Sequence, residues 1–166
     1  MILTLKSFNQ HIEYQHFKMD SVWTAIRLMT PSCYMASVDL KHAYYSVPIA
    51  ESDQKYLKFE WKNILYQFSC FTNGLAFCPR KFTKLMKPVF ATLRQPGHMS
   101  SGFIDDSWLM GSVWNDCAKN VVYTVKLLDS LGFVVHPEKL RVHSNSKAVF
   151  SRICSRISFH ASLPYP

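Results

Sequence analysis

Short apolar runs punctuated by polar turns fill this chain, and their period switches between two and about 3.6 residues. Cys33–Leu40 (CYMASVDL) is apolar at most positions and predicts a buried strand that closes on a carboxylate, Asp39. Before it, Val22, Ala25, Ile26 and Met29 recur at helical spacing behind Asp20, a good cap, and Thr30-Pro31 ends that helix. Lys55–Trp61 and Ile64–Ser69 flank Lys62-Asn63 and predict a hairpin. Pro79 opens a second helix from Arg80 to about Leu93. Pro88 lies inside it and should kink or interrupt it, at a cost of roughly 3 kcal/mol.

Gly97–Leu109 (GHMSSGFIDDSWL) reads as strand, Asp-Asp turn, strand. Ala118, Val121, Val122, Val125 and Leu128 give Asn115–Leu131 one apolar face, and Gly132 stops that helix. Phe133–Val135 and Leu140–Val142 predict a last small hairpin. No repeat or linker divides the chain. Strands and helices alternate without regular βαβ units, so the expected class is α+β, with helices packed on one face of an antiparallel sheet.

With 166 residues, 48% of them hydrophobic, the chain can bury one core. Its 19 Lys and Arg against 11 Asp and Glu give a net charge of +8, which points to a polyanionic partner. No run reaches the ~18 apolar residues of a membrane span. Met1–Lys6 is too short for a signal peptide. Five scattered cysteines without a C-x-x-C make neither a disulfide framework nor a zinc site. They suit a reducing intracellular compartment, nuclear or cytoplasmic. His11 and His16 lie near Glu13 at no metal-binding spacing and read as surface or packing residues.

Three carboxylates carry the candidate chemistry. Asp39 ends one apolar strand, and Asp105-Asp106 follow another that ends Phe103-Ile104. On its own, an Asp-Asp pair in a turn reads as a solvated hairpin tip. If the three gather, their repulsion is resolved by divalent cations, which can activate an attacking oxygen and stabilise a leaving pyrophosphate. Asp39 and Asp105 are therefore expected to share a divalent ion.

Several segments in order resemble the reverse transcriptases of retroelements, with a gypsy-like or DIRS-type flavour. Ala36-Ser-Val-Asp-Leu-Lys-His-Ala-Tyr-Tyr-Ser-Val-Pro-Ile49 is similar to their first palm motif. Gln67-Phe-Ser-Cys-Phe-Thr-Asn-Gly-Leu-Ala-Phe-Cys-Pro-Arg80 is similar to the nucleotide-and-template motif, and Phe82–Phe90 to its following helix. Phe103-Ile-Asp-Asp106 resembles the aromatic-x-Asp-Asp hairpin, and Leu131–Lys139 the next palm motif. The resemblance implies a polymerase palm with part of the fingers over residues 1–150. It implies RNA-directed DNA synthesis by two-metal nucleotidyl transfer, using Mg²⁺ with Mn²⁺ as the alternative ion. The partners it implies are an RNA/DNA primer-template and a dNTP, with no membrane.

Carried over residue by residue, the resemblance makes Asp39, Asp105 and Asp106 the catalytic, metal-binding triad, with the Leu40 carbonyl as a further ligand. Tyr44 would lie under the incoming sugar and exclude a 2′-hydroxyl. Asn73 and Gly74 would touch the incoming nucleotide and template, and Lys139 would sit near the leaving phosphates. Four departures stand out: His42 for an acidic residue, Thr72 for proline, Phe77-Cys78 for a small pair, and Phe103 for tyrosine. His42 and Phe77 are expected to distort the nucleotide pocket.

Met1 begins inside what resembles a fingers strand, and no primer-grip strand, thumb or ribonuclease H domain follows Phe150. The chain is thus expected to be a truncated retrotransposon copy, inactive by itself. The alternative is a non-catalytic basic remnant that binds nucleic acid. Residues 151–166 are expected to be a non-homologous, disordered tail. The family carries Phe-Leu-Gly-Phe where this chain has Phe150-Ser-Arg-Ile153, and a single-base frameshift near Phe150 would account for the change.

Overall fold

A strand with apolar neighbours above and below organises the chain. The structure, a computed structural model, describes residues 5–20, 22–137 and 141–143. The first described element is one helical turn, α1 (Lys6–Asn9), and α2 (Val22–Leu28) and β1 (Tyr34–Lys41) follow; the strand expected at Met1 falls outside the described residues. After a 3₁₀ turn at Tyr44–Ser46 come α3 (Glu51–Gln54) and the hairpin β2 (Lys58–Trp61) and β3 (Ile64–Gln67). The long helix α4 (Cys78–Arg94), the hairpin β4 (Met99–Phe103) and β5 (Asp106–Gly111), and α5 (Trp114–Ser130) follow. Two short strands, β6 (Val134–Val135) and β7 (Arg141–His143), complete the described elements.

The main sheet runs β4-β5-β1-β6, with β7 also on β1, and every pairing is antiparallel. The small hairpin β2–β3 stands apart as a two-stranded sheet. Side chains alternate across β1. Ala36, Val38 and Leu40 join Leu109 of β5 and face Phe82, Met86, Phe90 and Leu93 of α4 and Cys117, Val121 and Leu128 of α5. Met35 points the other way, toward Trp108 and Met110 of β5, and Ala25 of α2 closes over them. Burial on both faces explains why Cys33–Leu40 reads as a nearly continuous apolar run. The expected α+β architecture is observed, with the two long helices on one face and the short α2 on the other.

Three local expectations are corrected. Residues 133–135 and 140–142 were expected to pair with each other, yet β6 and β7 each pair with β1. Leu40 and Lys41 take β6, while Met35–Ser37 take β7, because the free edge of β1 offers more ladder than two short strands offer one another. Pro88 neither breaks nor interrupts α4, which is continuous from Cys78 to Arg94. Pro88 lies on the exposed side, where solvent can satisfy the carbonyl its missing N–H leaves free, while Met86, Val89 and Phe90 anchor the helix on the sheet. Asp20 does not start α2 directly. Its carboxylate instead accepts from Arg94 and Ser101 Oγ, each at 3.4 Å.

Two polar devices lock the helices to the sheet. Arg94 at the end of α4 donates to the Ser100 carbonyl through Nε at 3.1 Å and Nη2 at 2.9 Å. Asn120, fully buried in α5, donates to the carbonyls of Met99 at 2.9 Å and Met110 at 3.1 Å, and its Oδ1 accepts from Thr124 at 3.2 Å. Gly111 permits the same close approach, since a Cβ there would collide with the Cys117 backbone.

Asn120→Ala would leave the Met99 and Met110 carbonyls without their side-chain donor and open a cavity, so it should destabilise the fold by about 2–4 kcal/mol. Urea unfolding checks this: the midpoint should fall while the m-value stays constant.

Candidate active site

The hydrogen-bond pattern between β1 and β5 decides how the carboxylates meet. Asp39 is the register partner of Asp106. The backbone N–H of Leu40 donates to the Asp105 carbonyl at 3.0 Å, one step beyond that pair. Such a bond makes Asp39 and Asp106 a non-hydrogen-bonded pair, in which Cα atoms approach to ~4.5 Å and side chains stand on one face. Both residues are buried, 6% and 5% exposed. Their face is the one that carries Met35 and Trp108, not the face under α4 and α5.

Asp105 is half-buried in the turn beside them, and its backbone joins it to Leu40. Leu40 sends its side chain into the core under the long helices. Its backbone N–H and carbonyl both leave the strand toward β5, because both groups of one residue in an antiparallel ladder point the same way. Residue 104 precedes Asp105 in an unusual conformation: Ile104 has φ 54°, a left-handed geometry that strains a β-branched side chain. On the other side of β1, the His136 N–H donates to the Asp39 carbonyl at 2.8 Å.

The backbone brings Asp39, Asp105 and Asp106 to one end of the sheet. Among the described residues, no three His, Cys, Asp or Glu side chains converge into a group that could hold a metal. The Asp39–Asp106 pair nonetheless fits a hard cation. Mg²⁺ is commonly held by one or two carboxylates, with waters and substrate phosphates completing its shell.

A second group of predicted residues lies on the loop before α4. Asn73 and Gly74 are exposed, and Gly74 has φ 88°, a conformation that favours glycine. Leu75 is buried beside Leu57 and Cys78, and Leu5, Phe8 and Ile12 of the N-terminal segment pack on that cluster. Asn9, at the end of α1, donates from Nδ2 to the Gly74 carbonyl at 2.7 Å and accepts at Oδ1 from the Ala76 N–H at 3.0 Å. Nothing in the local sequence marks Asn9, because its partners lie 65 and 67 positions away.

Tyr44 is half-buried, with its ring edge-on to Phe82 at 5.5 Å, and Phe82 in turn meets Phe133 at 6.0 Å. The Phe71 N–H donates to the Val47 carbonyl at 2.9 Å, which ties the segment after Tyr44 to the loop carrying Asn73. Phe77 packs edge-on against Phe71 and joins the cluster beneath the loop. His42 is exposed with φ 58° and lies edge-on to Tyr45. Lys139 and residues 151–166 fall outside the described residues.

A family model for reverse transcriptase (RNA-dependent DNA polymerase) matches residues 1–151. The chain belongs to the reverse transcriptase family. Polyprotein P3 of Commelina yellow mottle virus is 21% identical over 142 residues, covering 86% of this chain and 7% of that protein. The crystal structure of prototype foamy virus protease–reverse transcriptase superposes with a TM-score of 0.74 at 17% identity, covering 85% of this chain and 18% of that one. The foamy viral enzyme in complex with an RNA/DNA hybrid gives 0.73 at 18% identity, over 84% of this chain and 18% of that one. These likenesses show a shared fold, that of a reverse transcriptase palm and fingers, and the chain spans a small part of each relative. Among the described residues, no helix is long and apolar enough to cross a membrane.

Two buried thiols resist ionisation. Burial pushes the Cys78 thiol up to about 12 from an ordinary 9.0, against a smaller opposing pull from the Thr72 backbone. Burial likewise takes Cys117 to about 11. Above pH 9 the unfolded chain loses thiol protons that the folded chain keeps, so stability should fall as pH rises toward 12. Urea midpoints measured from pH 8 upward should decline, and the decline should be shallower in Cys78→Ala.

Proposed function

We propose that this chain is the nucleotide-binding end of an RNA-directed DNA polymerase of a retrotransposon, of gypsy-like or DIRS-type descent. The observation that carries the reading is the close, buried pairing of Asp39 with Asp106, with Asp105 beside them at the same strand end. In the proposed reaction a primer 3′-hydroxyl forms a new bond to the α-phosphate of a dNTP, and the bond to pyrophosphate breaks in line. Asp39, Asp105 and Asp106 would hold Mg²⁺ together with the Leu40 carbonyl. Bound there, divalent cations favour loss of the hydroxyl proton and neutralise the leaving charge. Tyr44 would close the space under the sugar, Asn73 and Gly74 would touch the nucleotide and template strand, and Lys139 would meet the leaving phosphates.

Phosphoryl transfer depends mostly on positioning and electrostatics. The matched 85% of this chain covers 18% of the foamy virus chain, and we propose that the 166 residues by themselves do not sustain processive synthesis. An intracellular setting belongs to the same reading. A second reading, a basic nucleic-acid-binding remnant without catalysis, is favoured by α4. That helix carries Arg80, Lys81, Lys84, Lys87 and Arg94 and no acidic residue. Lys81, Lys84, Lys87 and Arg94 are exposed.

Titration with Mn²⁺, followed by its electron spin resonance, separates the two readings. Asp39→Asn and Asp106→Asn should each weaken ion binding at least about tenfold, a loss of one charge-assisted contact. Equal affinity in both variants and wild type, with salt-dependent nucleic-acid binding retained throughout, would favour the remnant. Sugar discrimination gives a further check. In competition binding to the 166-residue chain, Tyr44→Ala should bring NTP affinity up toward that of dNTP by removing a steric block. An unchanged preference refutes the role given to Tyr44.

A further inference from the structure

The loop that carries Asn73 and Gly74 is anchored at both ends by its own neighbourhood. The Phe71 N–H is bound to Val47, and the Cys78 N–H donates to the Leu75 carbonyl at 3.1 Å. Between those anchors the backbone turns sharply, with Gly74 at φ 88°. The Gly74 carbonyl and the Ala76 N–H diverge in chemistry, one an acceptor and one a donor. A primary amide is the one neutral side-chain group that serves both from a single planar end. Asn9 presents that amide, donating at 2.7 Å and accepting at 3.0 Å.

The arrangement around Asn9 is built to hold it still. Leu5, Phe8 and Ile12 sink into the cluster formed by Leu57, Leu75 and Cys78, so the helical turn carrying Asn9 rests on the same core as the loop it grips. The His11 N–H donates to Phe8 at 3.0 Å and the Ile12 N–H to Asn9 at 3.2 Å, which completes the turn around it. A side chain that reads backbone on both sides of one residue sets the loop's position with little dependence on the loop's own side chains.

We propose that Asn9 is a positioning residue for nucleotide binding: its amide clamps Gly74 and Ala76 and so holds Asn73 and Gly74 at the height needed to meet an incoming dNTP. The inference rests on the proposed function. Asn9 touches no substrate in this account and acts through the loop. Losing the clamp leaves the sheet and its carboxylates in place, so the effect is confined to what the loop meets, the nucleotide and the template strand beside it.

The test uses the 166-residue chain and two readouts. Amide hydrogen exchange at Ala76 reads the clamp itself, and fluorescence titration with dATP in the presence of Mn²⁺ and a primed RNA template reads its consequence. In Asn9→Ala, Ala76 exchange should rise and dATP affinity should fall, each about tenfold, the size expected for one or two lost hydrogen bonds. The urea midpoint of the main sheet should stay constant, and the titration is run at saturating primed template, because the same loop also meets the template strand. Asn9→Asp splits the amide's two roles. Ala76 stays protected, since a carboxylate oxygen still accepts, while the Gly74 carbonyl loses its donor and dATP affinity still falls. Unchanged exchange in Asn9→Ala overturns the clamp. Raised exchange with unchanged dATP affinity overturns the positioning role while the proposed function stands. Failure of the wild-type chain to bind dATP overturns both.

Discussion

Everything at the candidate site depends on one register: Asp39 of β1 opposite Asp106 of β5, in the pair type that brings side chains closest. Carboxylates set directly opposite one another in a ladder are an unfavourable pair. A chain selected only for stability would not place them there, since a β-branched or aromatic pair fits the same slot better. The register is nevertheless enforced from both sides. Trp108 and Met110 lock one face of the same ladder under α2, and Leu109 locks the other under α4 and α5. A one-residue slip would exchange the two faces and bury the carboxylates among the long helices.

The helices act as the weights that hold this ladder. α5 is fastened through Asn120 to β4 and β5 at once, and α4 through Arg94 to β4. Both fastenings end on backbone carbonyls, so they fix strand positions and not merely side-chain packing. The strained turn at Ile104 sits at the far end of the hairpin those helices grip. Strain of this kind persists only where the surroundings over-determine it, and here it delivers Asp105 to the edge next to Leu40.

A smaller core, distinct from the one under the long helices, supports the loop that carries Asn73 and Gly74. Leu57, Leu75 and Cys78 form it, and residues from the N-terminal segment, the Tyr44 region and the Phe68–Phe77 stretch close around it. Tyr44 touches both cores, through Phe82 on one side and the small cluster on the other. The carboxylate end of the sheet and the loop are thus coupled through packing, and a nucleotide that met both would span the join between them.

Sequence alone determined the parts whose signal is local. The apolar run ending at Asp39, the Asp-Asp hairpin, the amphipathic helix stopped by Gly132 and the Lys62-Asn63 turn each follow from period, turn chemistry and capping within a few residues. The resemblance of consecutive motifs then named the family from residue identities without any geometry. Tertiary structure decided what depends on partners distant in the chain. Whether Asp39 meets Asp106 in a close pair, whether β6 and β7 pair with each other or with β1, and whether Pro88 breaks α4 are settled by which edges and faces remain to be filled once the sheet assembles. Asn9 is the clearest case. Its two partners are backbone groups more than sixty positions away, and backbone carries no residue identity from which a sequence pattern could be read.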